Sequence, residues 1–150
     1  MSNLKQLNMV SDVETKKEQK LAQNFQVAAK HLQDNQQKLS GLEQYRLEYL
    51  KLIQQKGQLG VEAKKLHQHQ SFVAKLDRAC EQQIQFVSQA VLVADQRKRQ
   101  WLEQQKRRKA IEMLIAKKTK EAFAVEARIE QELFDELAIQ KYIRRERVLR

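Results

Sequence analysis

The chain has no proline and only three glycines in 150 residues, so almost nothing in it forbids or weakens helix over long stretches. One cysteine, Cys80, excludes a disulfide framework within the chain and fits a reducing compartment. No stretch reaches eighteen consecutive apolar residues, and the start Met1-Ser2-Asn3-Leu4-Lys5-Gln6 has no apolar core of signal-peptide length. These absences lead to the expectation of a cytoplasmic protein. Glycine-rich phosphate loops, nucleophile elbows and metalloprotease-type motifs are missing too. Catalytic residues, a cofactor, a metal site and a small-molecule substrate are therefore not expected.

What is present is Gln, Lys, Glu, Ala and Leu in two long periodic runs. Before Lys56-Gly57-Gln58-Leu59-Gly60, a mostly apolar seam recurs at alternating spacings of three and four: Leu21, Phe25, Ala28, Leu32, Asn35, Leu39, Leu42, Arg46, Tyr49, Ile53. After it come Leu66, His69, Val73, Leu76, Cys80, Gln83, Val87, Ala90, Ala94, and later Trp101, Ile111, Ile115, Ala122, Val125, Ile129, Ile139 and Ile143. A heptad repeat this long is the signature of helices wound on a partner. The expected fold is all-α: an antiparallel coiled-coil hairpin in one unit over residues 1–150, with helices over about 3–56 and 61–147 and a bend at 57–60. Two helices bury only a narrow stripe, and an enclosed catalytic pocket needs walls from several elements.

The reversal rests on two signals. Gly57 and Gly60 would each cost about 1 kcal/mol inside a helix, and Gly57 can take the left-handed conformation that ends one. Lys56 complements the negative end of the first helix and Glu62 the positive start of the second. In addition, the stripe slips by one residue across the glycines, so a straight continuation would rotate it by roughly 100°. Folding back sets Tyr45 against Phe72 and leaves helix two overhanging beyond about residue 115.

Charge is unevenly placed within a net +10. Arg97 to Lys120 holds ten basic residues against Glu103 and Glu112; Glu121 to Ala138 holds Glu121, Glu126, Glu130, Glu132, Asp135 and Glu136 against Arg128; the end carries Lys141, Arg144, Arg145, Arg147 and Arg150. Alternating blocks suit docking in register more than uniform attraction to a polyanion. The basic run could neutralise phosphates, with Trp101 stacking a base. Trp101 nevertheless falls on the seam with Arg97, Gln104 and Arg108, and folding back brings Asp12, Glu14 and Glu18 near them. A partly ion-paired stretch of coiled coil is the favoured reading. Two residues apart on a helix, His67 and His69 diverge by about 200° and cannot chelate one ion; His31 is remote from both.

The two flanks of the seam are expected to differ. One carries Tyr45 and Leu52 facing Phe72 and Ala79, then Phe86 and Val93. The other carries Gln36, Glu43, His67, Glu81, Ser88 and Asp95, with Leu50 and Ala74 as exceptions. An apolar, aromatic flank that two helices cannot cover is a docking surface for a partner.

The segment Lys38-Leu39-Ser40-Gly41-Leu42-Glu43-Gln44-Tyr45-Arg46-Leu47-Glu48-Tyr49 resembles the Leu-x-x-Tyr-x-x-Glu-Tyr segment of FliJ proteins of the bacterial flagellar type III export apparatus. The bend ending in Gly60-Val61 follows, then Gln70-Ser71-Phe72-Val73-Ala74-Lys75-Leu76-Asp77-Arg78-Ala79, similar to the family's Tyr-Gln-x-Phe-x-x-x-Leu-x-x-Ala. Trp101 stands where such proteins often have one. The resemblance implies a non-enzymatic stalk on the cytoplasmic side of the inner membrane. Its implied partners are the flagellar export ATPase, whose ring assembly it promotes, the membrane export gate protein, and export chaperones. It also implies gate contacts at Leu42, Tyr45, Tyr49, Phe72, Leu76, Ala79 and Gln83; Gln83 departs from the family's His, and Lys38 from its Gln. The ATPase-ring surface is expected on the overhang at Ile115, Lys117, Lys118, Ala122, Val125 and Ile129. Alternatives are the stalk of a virulence-type III secretion system, a basic coiled-coil nucleic-acid-binding protein, and a homodimeric scaffold.

Overall fold

A computed structural model describes residues 2–58, 60 and 62–149. It contains two helices, α1 (Ser2–Gln58) and α2 (Ala63–Leu149), packed against each other as an all-α helical hairpin. There is no strand among the described residues.

The reversal differs in detail from the sequence expectation. Helix α1 runs through Gly57 to Gln58, and Gly60 instead takes the left-handed conformation, with φ of 85°. The physical reason lies in the bonding: Gly60 N–H donates to the Gly57 carbonyl at 3.3 Å, which closes the last turn one step later than a left-handed Gly57 would allow. Lys56 stands in the last turn of α1. Glu62 precedes α2, and its carbonyl accepts the Leu66 N–H at 3.1 Å, opening the helix. Leu59 and Val61, parts of the expected bend, and the terminal Arg150 lie outside the described residues.

The chain clusters into two compact units, Glu18–Gln104 and Met1–Lys17 with Gln105–Arg150. In the first, the seam follows the three-four repeat: Leu21, Phe25, Leu32, Asn35, Leu39, Leu42, Arg46, Tyr49 and Ile53 of α1 are half-buried, and Ala28 is buried. On α2 the most protected residues are Leu76, Cys80, Gln83, Ala90, Ala94 and Gln104. Four of these buried seam residues, counting Ala28, are small: Ala28, Cys80, Ala90 and Ala94. Small residues let two backbones approach closely, so they bury first when only two helices share the work. Even so, no described side chain is completely enclosed.

The second unit is thinner. Leu4, Leu7, Ser11 and Glu14 of α1 and Arg108, Ile111, Ile115, Thr119 and Ala122 of α2 are half-buried. Because α1 begins at Ser2, packing reaches slightly further along α2 than residue 115. Every described residue from Phe123 to Leu149 is exposed.

No heavy atom lies within 4 Å of a Cβ built on Gly41, Gly57 or Gly60. Conformation alone therefore decides the effect of alanine at each. Gly41→Ala and Gly57→Ala, both within α1, are expected to raise stability by up to about 1 kcal/mol each, whereas Gly60→Ala should cost about 1 kcal/mol or more. Thermal unfolding followed by circular dichroism checks the opposite signs.

Candidate docking site

Near the reversal the three-four repeat places Tyr45 and Tyr49 four residues apart on one side of α1, and the antiparallel arrangement brings Phe72 of α2 between them. The Tyr45 and Phe72 rings meet edge-on, with centroids 6.3 Å apart and planes at 79°. Tyr49 and Phe72 lie 4.7 Å apart at 61°. Tyr49 also packs on His69, with centroids at 5.7 Å, and its hydroxyl shares a 2.6 Å hydrogen bond with His69 Nδ1. Such edge-to-face pairs add about 0.5–1.5 kcal/mol each beyond area burial. They hold the cluster as one rigid surface.

The seven residues assigned to the gate contact divide by exposure. Tyr45 is 50% exposed; Leu42, Tyr49, Phe72 and Ala79 are half-buried. Leu76 and Gln83 are buried, with 7% and 3% of their surface accessible. These two support the patch from the seam and offer a partner almost nothing to touch. Gln83 donates from Nε2 to the Asn35 carbonyl at 2.9 Å and to Asn35 Oδ1 at 3.0 Å, while Asn35 Nδ2 donates to the His31 carbonyl at 2.8 Å. A satisfied polar layer inside an apolar seam fixes register at some cost in stability.

The same flank continues at heptad steps from Phe72 and Ala79 to Phe86 and Val93, which are 44% and 43% exposed. Phe86 and Val93 line an open groove of about 540 Å³ with Ala28, His31, Asn35 and Lys38. Sequence reasoning did not find this groove, because Ala28 and Ala90 register in the pattern only as seam positions; their small size leaves the space. The opposite flank is less polar than expected. Gln36, Glu43, His67, Glu81, Ser88, Asp95 and Ala74 are exposed and Leu50 half-buried, but Ile84 and Val91 also stand there, 45% and 36% exposed. Each precedes Phe86 or Val93 by two residues and so points about 200° away from it. Helix α2 is apolar on both sides over this stretch. Arg46 Nε and Asp77 Oδ1 form an ion pair across the helices near the cluster, both partly exposed, a geometry contributing at most about 1 kcal/mol.

Trp101 is half-buried and stacks on Phe25, with centroids 5.7 Å apart and planes at 18°. One of its faces is therefore occupied by a seam residue of the other helix. Near it, Arg97 Nη1 donates to Gln100 Oε1 at 3.3 Å. In the other unit, Arg108 pairs with Glu112 at 2.8 Å and Lys17 with Glu14 at 3.8 Å. Among the described residues, no three His, Cys, Asp or Glu side chains converge where a metal ion could bind.

Of the residues assigned to the ATPase ring, Ile115 and Ala122 are half-buried and Lys117 and Lys118 exposed. Lys118 lines a shallow groove of about 340 Å³ with Asn3, Gln6, Leu7, Val10 and Leu114. Val125 and Ile129 are each 53% exposed on bare helix.

A family model described as the flagellar FliJ protein matches residues 3–147. The chain belongs to the FliJ family. This makes it a protein of flagellar protein export, from a family whose members are non-catalytic components. The match includes α1 from its second residue and nearly all of α2, bare end included. No curated protein and no solved structure matches the chain. Among the described residues, no helix of this FliJ protein is long and apolar enough to cross a membrane.

The Gln83–Asn35 layer gives a direct test of how the seam is set. Gln83→Leu puts an apolar side chain at a buried seam position and leaves Asn35 its bond to His31, so it should raise the free energy of unfolding by about 1 kcal/mol. Urea titration of both proteins measures it. A loss of stability would show that the amide layer holds the helices together and does more than align them.

Proposed function

We propose that this chain is a stalk of the flagellar export apparatus, linking the export ATPase ring to the membrane export gate, promoting ring assembly and receiving export chaperones. The observation that carries this reading is the Tyr45–Tyr49–Phe72 cluster. It is rigid, contributed by both helices, and left half-exposed where the helices reverse. Large aromatic groups locked by their own contacts lose few rotamers on binding, and groups of this kind dominate interface energetics. The cluster suits the export gate protein as its partner. Tyr45, Tyr49, Phe72, Leu42 and Ala79 make the contact, and Leu76 and Gln83 act beneath them by holding the two helices in register.

The ATPase ring takes the other surface. Ile115, Lys117, Lys118, Ala122, Val125 and Ile129 combine apolar groups with basic side chains and lie in the unit that is least covered by the chain itself. Alternation of basic and acidic blocks along α2 supplies register. Hydrolysis belongs to the ATPase; the stalk supplies contacts. The protein works on the cytoplasmic side of the inner membrane, held there peripherally by its partners. Membership in the flagellar family favours this over the stalk of a virulence-type system.

Tyr45→Ala combined with Phe72→Ala is expected to weaken binding to the purified cytoplasmic part of the gate protein by at least about tenfold, with the far-ultraviolet circular dichroism of the helices unchanged. Unaltered gate affinity in a helical double variant would remove the cluster from the interface. Separately, adding this protein to the subhexameric export ATPase should shift it to the hexamer, and Val125→Asp with Ile129→Asp should abolish the shift.

A further inference from the structure

Helix α2 carries another surface, on the side turned away from its seam. Lys106, Lys109, Met113, Lys117 and Lys120 follow one another at steps of three and four, and all five are exposed. At 100° per residue they fall within an arc of about 80°, roughly opposite the half-buried Arg108, Ile111 and Ile115. They form one straight line about 21 Å long on the outside of the helix. Met113 stands at its middle with 72% of its surface accessible. The whole line belongs to one compact unit, that of Met1–Lys17 with Gln105–Arg150.

No carboxylate lies on this line. Between Gln105 and Lys120 the one acidic residue is Glu112; it points about 100° away from Met113 and is engaged by Arg108 at 2.8 Å. Glu121, next to Lys120, points about 80° from the centre of the line. The charge therefore calls for an anionic partner, and the shape and the apolar residue decide which. A straight line on the convex side of a helix meets a plane along its full length. From Leu102 to Ala122 there is no aromatic side chain, so the stacking groups used on single-stranded nucleic acid are missing. An exposed methionine among lysines gains nothing from a polyanion in water. At a lipid surface it enters the boundary between head groups and acyl chains, while the lysine stems reach back to the phosphates.

We propose that this face of α2 lies on a membrane surface bearing anionic head groups, with the four lysines pairing to lipid phosphates and Met113 seated below them. The contact is direct, adds to what protein partners provide, and is measured without gate or ATPase. Each lysine so placed raises partitioning roughly fivefold, and salt weakens it. Lys117 is shared with the surface assigned to the ATPase ring, so membrane-bound and ring-bound molecules are distinct states.

The full chain is expected to co-sediment at low salt with vesicles containing phosphatidylglycerol, less so as salt is added, and hardly at all with vesicles of phosphatidylcholine alone. Lys106→Glu, Lys109→Glu and Lys120→Glu together, with Lys117 left in place, should lower partitioning by at least about a hundredfold. Arg144→Glu, Arg145→Glu and Arg147→Glu remove the same net charge from the end of α2 and should retain most of the binding. Circular dichroism checks that both triple variants stay helical. In a Cys80→Ala background, a polarity-sensitive fluorophore on Met113→Cys should shift to the blue on anionic vesicles, and the same label on Glu112→Cys should shift less. Equal losses in the two triple variants would reduce the effect to net charge and overturn the proposal. So would vesicle binding untouched by the lysine swaps, a label at position 113 that stays in water, or tighter binding to duplex DNA than to anionic vesicles at the same salt.

Discussion

Two helices can share one interface, and one interface between two helices cannot surround a side chain. The three-four repeat in α1 and α2 supplies a continuous seam, yet the best-protected residue, Gln83, still keeps 3% of its surface, and no described side chain is completely enclosed. Other notable features follow from this shortage of cover. Small residues, Ala28, Cys80, Ala90 and Ala94, are buried because the two backbones can close over them. Large ones, Phe86, Val93, Ile84 and Val91, are left partly in water because the described residues form only two helices and neither takes them in. Clusters of exposed apolar residues of this kind mark surfaces that a partner can cover.

The aromatic cluster near the reversal shows how the same constraint becomes useful. Phe72 sits between Tyr45 and Tyr49, and Tyr49 is tied to His69 through its hydroxyl. Ring-on-ring contact takes the place of a core, so the surface is rigid before any partner arrives. Below it, the Gln83 amide donates to the Asn35 carbonyl and to Asn35 Oδ1. A leucine seam tolerates sliding by a turn; an amide pair loses its hydrogen bonds if it slides. The cluster therefore has a defined geometry as well as an apolar character.

Much of this was legible in the residues. The seam, the reversal at the glycines and the meeting of Tyr45 with Phe72 follow from spacing, because helical periodicity fixes which side chains share a face. Placement of the left-handed residue at Gly60 was not legible: either glycine can adopt that conformation, and the closing hydrogen bond from Gly60 N–H to the Gly57 carbonyl distinguishes them. The burial of Leu76 and Gln83 within a patch otherwise exposed was equally hidden. Pattern places a residue on a face, but how much of it a neighbour covers depends on the distance between the helices.

By itself, the sequence determined the helices, their number, their antiparallel direction and the family to which they belong, since these rest on local propensity, on period and on the order of motifs along the chain. The tertiary structure alone decided that Phe25 claims a face of Trp101, that a groove opens beside Ala28 and Ala90, and that α2 is apolar on both flanks there. Those outcomes depend on interhelical distance and on the volumes of side chains drawn from opposite arms, quantities that no stretch of a single strand of residues contains.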